Sequence, residues 1–317
     1  MITEGKKLIL AGDESVLMQL PEGHWIGGTI PYFISDQGGL MTRDKIHVTE
    51  LPSYARQVTV RTYAPETVSA VYAGIQKNGL SIIIIPASGN AHLNFAMKAP
   101  LHKDFASGPL FGWIAGVHVD DIGKKKAKVI FGEKLKVMED GAVAMHMVLP
   151  DGLYADLNII NIFKQGTGDV ITFPEDGFNV QDAIINGKKQ NFAEYVSRQK
   201  LDTKLPLVAD YSGAMINVSF QGVDDAAGRV NFYAPVFKGI KYKHAAPVVN
   251  YVKEFTSSIP EAGTGEIFFS CNCILNYLYS ELEGKRTGNI TGPTTFGEIA
   301  YQLLNQTMAY VSIEKQA

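Results

Sequence analysis

Apolar residues along the chain come in short runs separated by polar turns, with few stretches at helical spacing. Residues 7–10 read as a strand, and Asp13 stands where the cap of a short helix over 15–20 belongs. A longer apolar run over 25–35 closes at Asp36-Gln37-Gly38-Gly39, a turn signal. Residues 57–62 alternate, with Val58 and Val60 on one face and Thr59 and Arg61 on the other. Pro65-Glu66 opens a predicted helix that Asn78-Gly79 stops, and the β-branched run 80–85 follows as a buried strand. Strand, helix and strand together match the size of a βαβ crossover.

Predicted strands at 126–132, 142–148, 156–163 and 169–173 follow with little helix between them, a spacing that favours antiparallel pairing. Further strands are predicted at 178–185, 205–210, 214–220, 229–233, 266–270, 297–301 and 308–314, and helices at 191–199, 247–256 and 273–283. Asp224-Asp225-Ala226-Ala227-Gly228 is placed as a hairpin loop. This pattern predicts the α/β (α+β) class, as two domains of mixed, largely antiparallel β-sheet with flanking helices. Polar stretches at 186–190 and 200–204 put the boundary near 190 and divide the chain into 1–190 and 191–317.

A length of 317 residues agrees with two domains, and 46% hydrophobic residues exclude wholesale disorder. A net charge of −3 removes the electrostatic case for non-specific nucleic-acid binding or a polybasic membrane patch. No run approaches the roughly 20 apolar residues of a spanning helix, and the first residues lack a secretory apolar core. The two cysteines, Cys271 and Cys273, are too close in sequence to form a disulfide framework. The expectation is a cytoplasmic protein with no nucleic-acid and no membrane partner.

Tests for chemistry return little. None of the seven histidines lies three or four residues from another, and there is no His-Glu-x-x-His or Cys-x-x-Cys, so no metal site is expected. Cys271-Asn272-Cys273 reads either as two buried thiols at a strand–helix junction or as a pair that touches a ligand. His118-Val119-Asp120-Asp121 is either an acid–base or metal cluster or a solvated loop leading into Gly123-Lys124-Lys125-Lys126. Gly27-Gly28 and Gly38-Gly39 fit neither a dinucleotide fingerprint nor a P-loop. Ser88-Gly89 and Ser212-Gly213 lack the glycine that precedes the serine of a nucleophile elbow. No catalytic residue is assigned. Tyr233, Phe237 and Tyr242, interleaved with Lys238, Lys241 and Lys243, make either a stacking platform or an amphipathic strand.

A resemblance emerges towards the end of the chain. Phe268-Phe269-Ser270-Cys271-Asn272-Cys273, then Gly292-Pro293-Thr294-Thr295-Phe296-Gly297-Glu298-Ile299, then Asn305-Gln306-Thr307 resembles the FIST (F-box and intracellular signal transduction) family. Asn217-Val218-Ser219-Phe220 and Tyr233-Ala234-Pro235-Val236-Phe237-Lys238-Gly239 look like part of the same domain. Trp25-Ile26-Gly27-Gly28-Thr29 and the Phe111–Gly116 stretch with Asp120-Asp121 are similar to the family's N-terminal motifs, the latter as a loop. The resemblance implies a FIST N-like domain over 1–190 and a FIST C-like domain over 191–317. It implies a sensory, signal-transducing protein that binds a small molecule, such as an amino acid, and acts through a separate signalling protein. A haem-based nitric oxide sensor and a cysteine-dependent enzyme are the alternatives. The expected ligand-binding residues are Cys271, Asn272, Cys273, Thr294, Thr295, Gly297 and Glu298. First-turn N–H groups after Cys271 suit a carboxylate, and Glu298 suits an ammonium.

Overall fold

The computed structural model of the chain describes residues 1–211, 213–258, 266–288 and 290–316, so Ser212 of the Ser212-Gly213 pair lies outside the described residues. Strands hold 44% of the residues and helices 19%, in several mixed and antiparallel sheets, and the class is mixed α/β as the pattern predicts. The chain forms two units. One gathers Met1–Ile160, Ile259–Leu303 and Met308–Ala317, and the other Asn161–Ser258 and Leu304–Thr307. Residue 190 falls inside the second unit, in the strand Lys188–Asn191. The polar character that suggested a linker there belongs to a surface hairpin, Asp182–Ile185 with Lys188–Asn191, which turns at Asn186-Gly187 with φ of 46° and 84°.

Several pairs of strands in the first unit run parallel. Leu8–Gly12 pairs with Trp25–Thr29, joined through the helix Glu14–Leu17, whose first turn is capped by Asp13 accepting from the Ser15 N–H. Gly79–Pro86 pairs with Leu110–Ala115, joined through the helix Asn90–Lys98. Every residue of Gly79–Pro86 and Leu110–Ala115 is buried, the pattern of parallel strands covered on both faces.

This crossover is displaced from the predicted one. Arg56–Tyr63 does not neighbour Gly79–Pro86, because Ala142–Val148 lies between them and pairs antiparallel with each. The segment Pro65–Gly74 is a 3-10 helix. The connecting helix is Asn90–Lys98, where no element is predicted. Its buried Ala91, Phe95 and Ala96 do recur at helical spacing, but Asn90, His92 and Asn94 interrupt a short segment and hide the period. The 111–116 stretch is strand rather than loop. Gly28 marks where the two sheets meet, since a Cβ there would lie 2.6 Å from Ile84 and 3.1 Å from the Trp113 indole nitrogen.

A third sheet of this unit sets Met308–Lys315 against Glu266–Cys273, which runs parallel to Gly292–Thr295. Phe269 packs against Phe111 and Trp113, with ring centroids 5.4 and 5.3 Å away. The helix predicted over 273–283 shortens to Ile274–Tyr279.

The second unit is built on an aromatic core. Phe192 opens the helix Phe192–Gln199, which Asn191 caps by accepting from the Glu194 N–H, and its ring meets Phe173 edge-on at 5.3 Å. Phe220–Asp224 pairs with Arg229–Val236 through the predicted hairpin loop, in which Asp224 accepts from the Ala227 N–H. Tyr242 is fully buried, and its hydroxyl accepts from the Phe237 N–H. It is a core residue and offers no face to a base.

Candidate functional site

The structure brings the seven expected ligand-binding residues together, and buries them. Cys273 and Thr295 are register partners on parallel strands, as are Asn272 and Thr294. Cys271, Asn272, Cys273, Thr294, Thr295 and Glu298 are each at most 3% exposed. Thr295 Oγ1 donates to the Gly297 carbonyl at 3.0 Å, and Asn272 Oδ1 accepts from Asn276 Nδ2 at 2.9 Å. Glu298 stands cross-strand from Trp113. The arrangement is a buried polar cluster inside the sheet packing, in which Asn272 Nδ2 and Thr294 Oγ1 have no hydrogen-bond partner among the described residues, and the helix that follows has six residues.

Burial, the nearby Glu298 charge and Cys273 push the Cys271 thiol well above its usual pKa, and its Sγ lies 3.4 Å from the Gly112 carbonyl. A nucleophilic cysteine needs the opposite, an exposed and stabilised thiolate. Both thiols are therefore expected to resist Ellman's reagent in the native protein at pH 7.5 and to react promptly in urea. Prompt native labelling of Cys271 would contradict this packing.

An open concave site among the described residues lies elsewhere in the same unit, outside the carboxyl ends of Gly79–Pro86 and Leu110–Ala115. A cleft of about 650 Å³ is lined by Ala87, Ser88, Gly89 and Asn90, by Val117, by Ile122–Ala127, by Glu139 and Asp140, and by Phe296. A cavity of about 20 Å³ adjoins it, lined by Asp13, Glu14, Thr29, Ile30, Pro31 and Gly116 and sharing Val117, Lys125 and Lys126. The exits of Leu8–Gly12, Trp25–Thr29, Gly79–Pro86 and Leu110–Ala115 thus face these two cavities. Hydrogen bonds from Ala87 N to the Ala115 carbonyl (3.0 Å) and from Gly116 N to the Thr29 carbonyl (2.7 Å) tie those exits together. Such a position is where open α/β sheets hold ligands, because the loops there carry free backbone groups over a rigid base.

The cleft walls carry both signs of charge. Lys126 pairs with Glu139 at 3.2 Å, and Lys125 with Asp121 at 3.3 Å. Arg43, 2.8 Å from Asp121, holds that carboxyl below the usual carboxylate range, with Lys125 assisting. Burial pushes Asp140 up, but hydrogen bonds from Ala91 N, Asn90 and Gly141 N outweigh it and leave the carboxyl below its ordinary value. Asp140 therefore occupies the N-terminal turn of Asn90–Lys98 as its built-in anion. Ser88 sits at the tip of the strand-to-helix turn with φ of 65°, and its N–H donates to His92 Nδ1 at 3.2 Å.

Ser88-Gly89, the 124–126 lysines and the 292–299 segment each stand out in the sequence, but nothing in their spacing joins them. Of that last segment Phe296 alone reaches the cleft. The 118–121 cluster is structural. His118 stacks on Tyr32 with centroids 5.5 Å apart and its Nδ1 accepts from the Asp120 N–H, while Asp121 is held by the ion pairs above. Among the described residues no group of three or more His, Cys, Asp or Glu side chains could hold a metal ion, and no helix is long and apolar enough to cross a membrane.

The fold and the cleft define a mixed α/β protein with an open site at its strand exits. The chain belongs to a family described as a family of unknown function (DUF6976), whose model matches residues 1–314. No curated protein and no solved structure matches it. That match, which runs the length of the chain, overturns the FIST resemblance. The motifs that carried it have packing explanations. Asn217 Nδ2 donates to the Asn305 and Gln306 carbonyls, and Ser219 Oγ lies 2.8 Å from Asn305 Oδ1, so these residues form a buried network in the second unit. Signalling output, an amino-acid ligand and haem were implied by that resemblance and lose that support.

Proposed function

We propose that this protein binds a small molecule in the cleft outside the carboxyl ends of Gly79–Pro86 and Leu110–Ala115. The observation that carries the reading is the cleft itself. Its volume of about 650 Å³ is within the range of small-ligand sites. Its lining mixes apolar side chains with a few fixed polar groups, the composition such sites need to bury a ligand and orient it. The buried cluster around Cys271 and Glu298 is read as scaffold.

The test is a thermal-shift screen of metabolites against the wild type and Ala87→Trp, which sets an indole into the cleft. A ligand present at 100 times its Kd stabilises the fold by about 2.7 kcal/mol. Hits that raise Tm of the wild type and not of a folded Ala87→Trp support the reading. Hits that stabilise both proteins equally place binding elsewhere and overturn it.

A further inference from the structure

We infer that the ligand of this cleft is a small amphipathic anion, a carboxylate or phosphate on a compact apolar body, with its anionic group at the Lys124 ammonium. The inference rests on the cleft being the binding site and adds the chemistry of what it takes.

Among the described residues of the cleft wall, one lysine is left without a carboxylate partner. Lys125 and Lys126 are each held by a carboxylate, Asp121 and Glu139. Lys128, behind them, is held by Glu14 and Glu139. Asp140 accepts from two backbone N–H groups and the Asn90 amide, which hold its carboxylate at the start of Asn90–Lys98 and away from Lys124 by more than 4 Å. Lys124 has no carboxylate within 4 Å among the described residues. Its Nζ donates to the Asp120 carbonyl at 2.9 Å. That contact uses one of the three donors of an exposed ammonium and leaves two for a ligand. The turn beneath it is firm, because Lys124 N and Lys125 N both donate to the Asp121 carbonyl at 2.9 Å.

The rest of the ligand is set by the neighbouring surface. Ile122, two residues from Lys124, is 56% exposed and faces the cleft instead of a core. Val117, Ala87 and Phe296 continue the apolar surface from it. Lys124 is exposed, so a neutral ligand gains only an ordinary hydrogen bond from its ammonium, whereas an anion gains a charge-assisted one and a cation is repelled. An anion with an apolar body answers both halves of the wall.

The experiment measures Kd by ligand-observed NMR titration for two matched pairs, hexanoate against hexanamide and phenylacetate against phenylacetamide, with phenyl phosphate as the phosphate probe. Each is titrated into wild type, Lys124→Met and Ala87→Trp. In the wild type the anions are expected to bind about tenfold or more tighter than the amides, the scale of a hydrogen bond to a charged group. Lys124→Met keeps the aliphatic stem and is expected to erase that ratio while leaving amide binding unchanged. Ala87→Trp is expected to weaken every probe.

Equal affinity for acid and amide, or a ratio that survives Lys124→Met, overturns the anion assignment. If the probes fail while the screen yields neutral or cationic ligands blocked by Ala87→Trp, the ligand class is wrong and the cleft reading stands. If the anions bind with the Lys124-dependent ratio but Ala87→Trp leaves them untouched, both claims fall.

Discussion

Acidification from pH 7 to pH 4 is expected to remove about 6 kcal/mol of folding stability, a large part of the roughly 5–15 kcal/mol that holds a typical domain together. Two buried histidines account for that figure. His146 is 2% exposed, with Nδ1 2.6 Å from Ser81 Oγ and Nε2 2.8 Å from the Tyr63 hydroxyl. His92 is 8% exposed on the buried face of Asn90–Lys98. Burial, aided at His146 by the Arg61 charge, lowers both from 6.5 to about 4. The folded state therefore holds these rings neutral while the unfolded chain protonates them. Between pH 6.5 and pH 4 the unfolded state binds more protons, so stability falls as pH falls through that window and is flat with respect to these groups above it. Each ring contributes about 3 kcal/mol of the loss at pH 4. Burial lowers His47 in the same direction. Urea unfolding at pH 7.5, 6.5, 5.5 and 4.5 checks the result. A stability that stays level to pH 4.5 contradicts neutral burial of the two rings. His146→Gln should lose stability at pH 7.5 and show a shallower slope below 6.5.

Gly112→Ala is expected to cost more than about 4 kcal/mol, or to prevent folding altogether, the range reached when a core position is overfilled against an immovable neighbour. Gly112 lies beside Ile83 on the parallel pair, and a Cβ built on it would sit 1.8 Å from the Ile83 carbonyl oxygen. The obstacle is backbone in the middle of a sheet, which no rotamer change can move. The same strand forms the base of the cleft, so relaxation there would also disturb the exits at Ala115 and Gly116. Gly152→Ala is the control. Gly152 has φ of 83° and nothing within 4 Å of where the new methyl would sit, so its loss should stay near about 1 kcal/mol. Equal losses for the two variants would refute the close approach at Gly112.

Much of this fold follows from local chemistry. The Asp13 cap, the helix over 191–199, the 224–228 hairpin loop and the β-branched strand over 80–85 are all legible, because each depends on a few adjacent residues. The mixed α/β class follows from the spacing of such segments. Motif likeness was a weaker guide. Ser-Cys, Gly-Glu-Ile and Asn-x-Thr segments look like a shared site when read in line, yet here they close a buried polar layer and stitch Leu304–Thr307 into the second unit.

Pairing partners and the site depend on contacts between distant segments. Whether 57–62 or 110–115 lies beside 79–86 is decided by which faces can be covered, and Ala142–Val148, more than 50 residues away in sequence, takes the position between Arg56–Tyr63 and Gly79–Pro86. The cleft joins Ser88, Lys124, Asp140 and Phe296, four residues that no spacing rule connects. The chain order supplied the lysine run and the carboxylates as equals. Their distances after folding pair Lys125 and Lys126 with acids and leave Lys124 beside an apolar wall, because Coulomb attraction acts on separation in space and not on position along the chain.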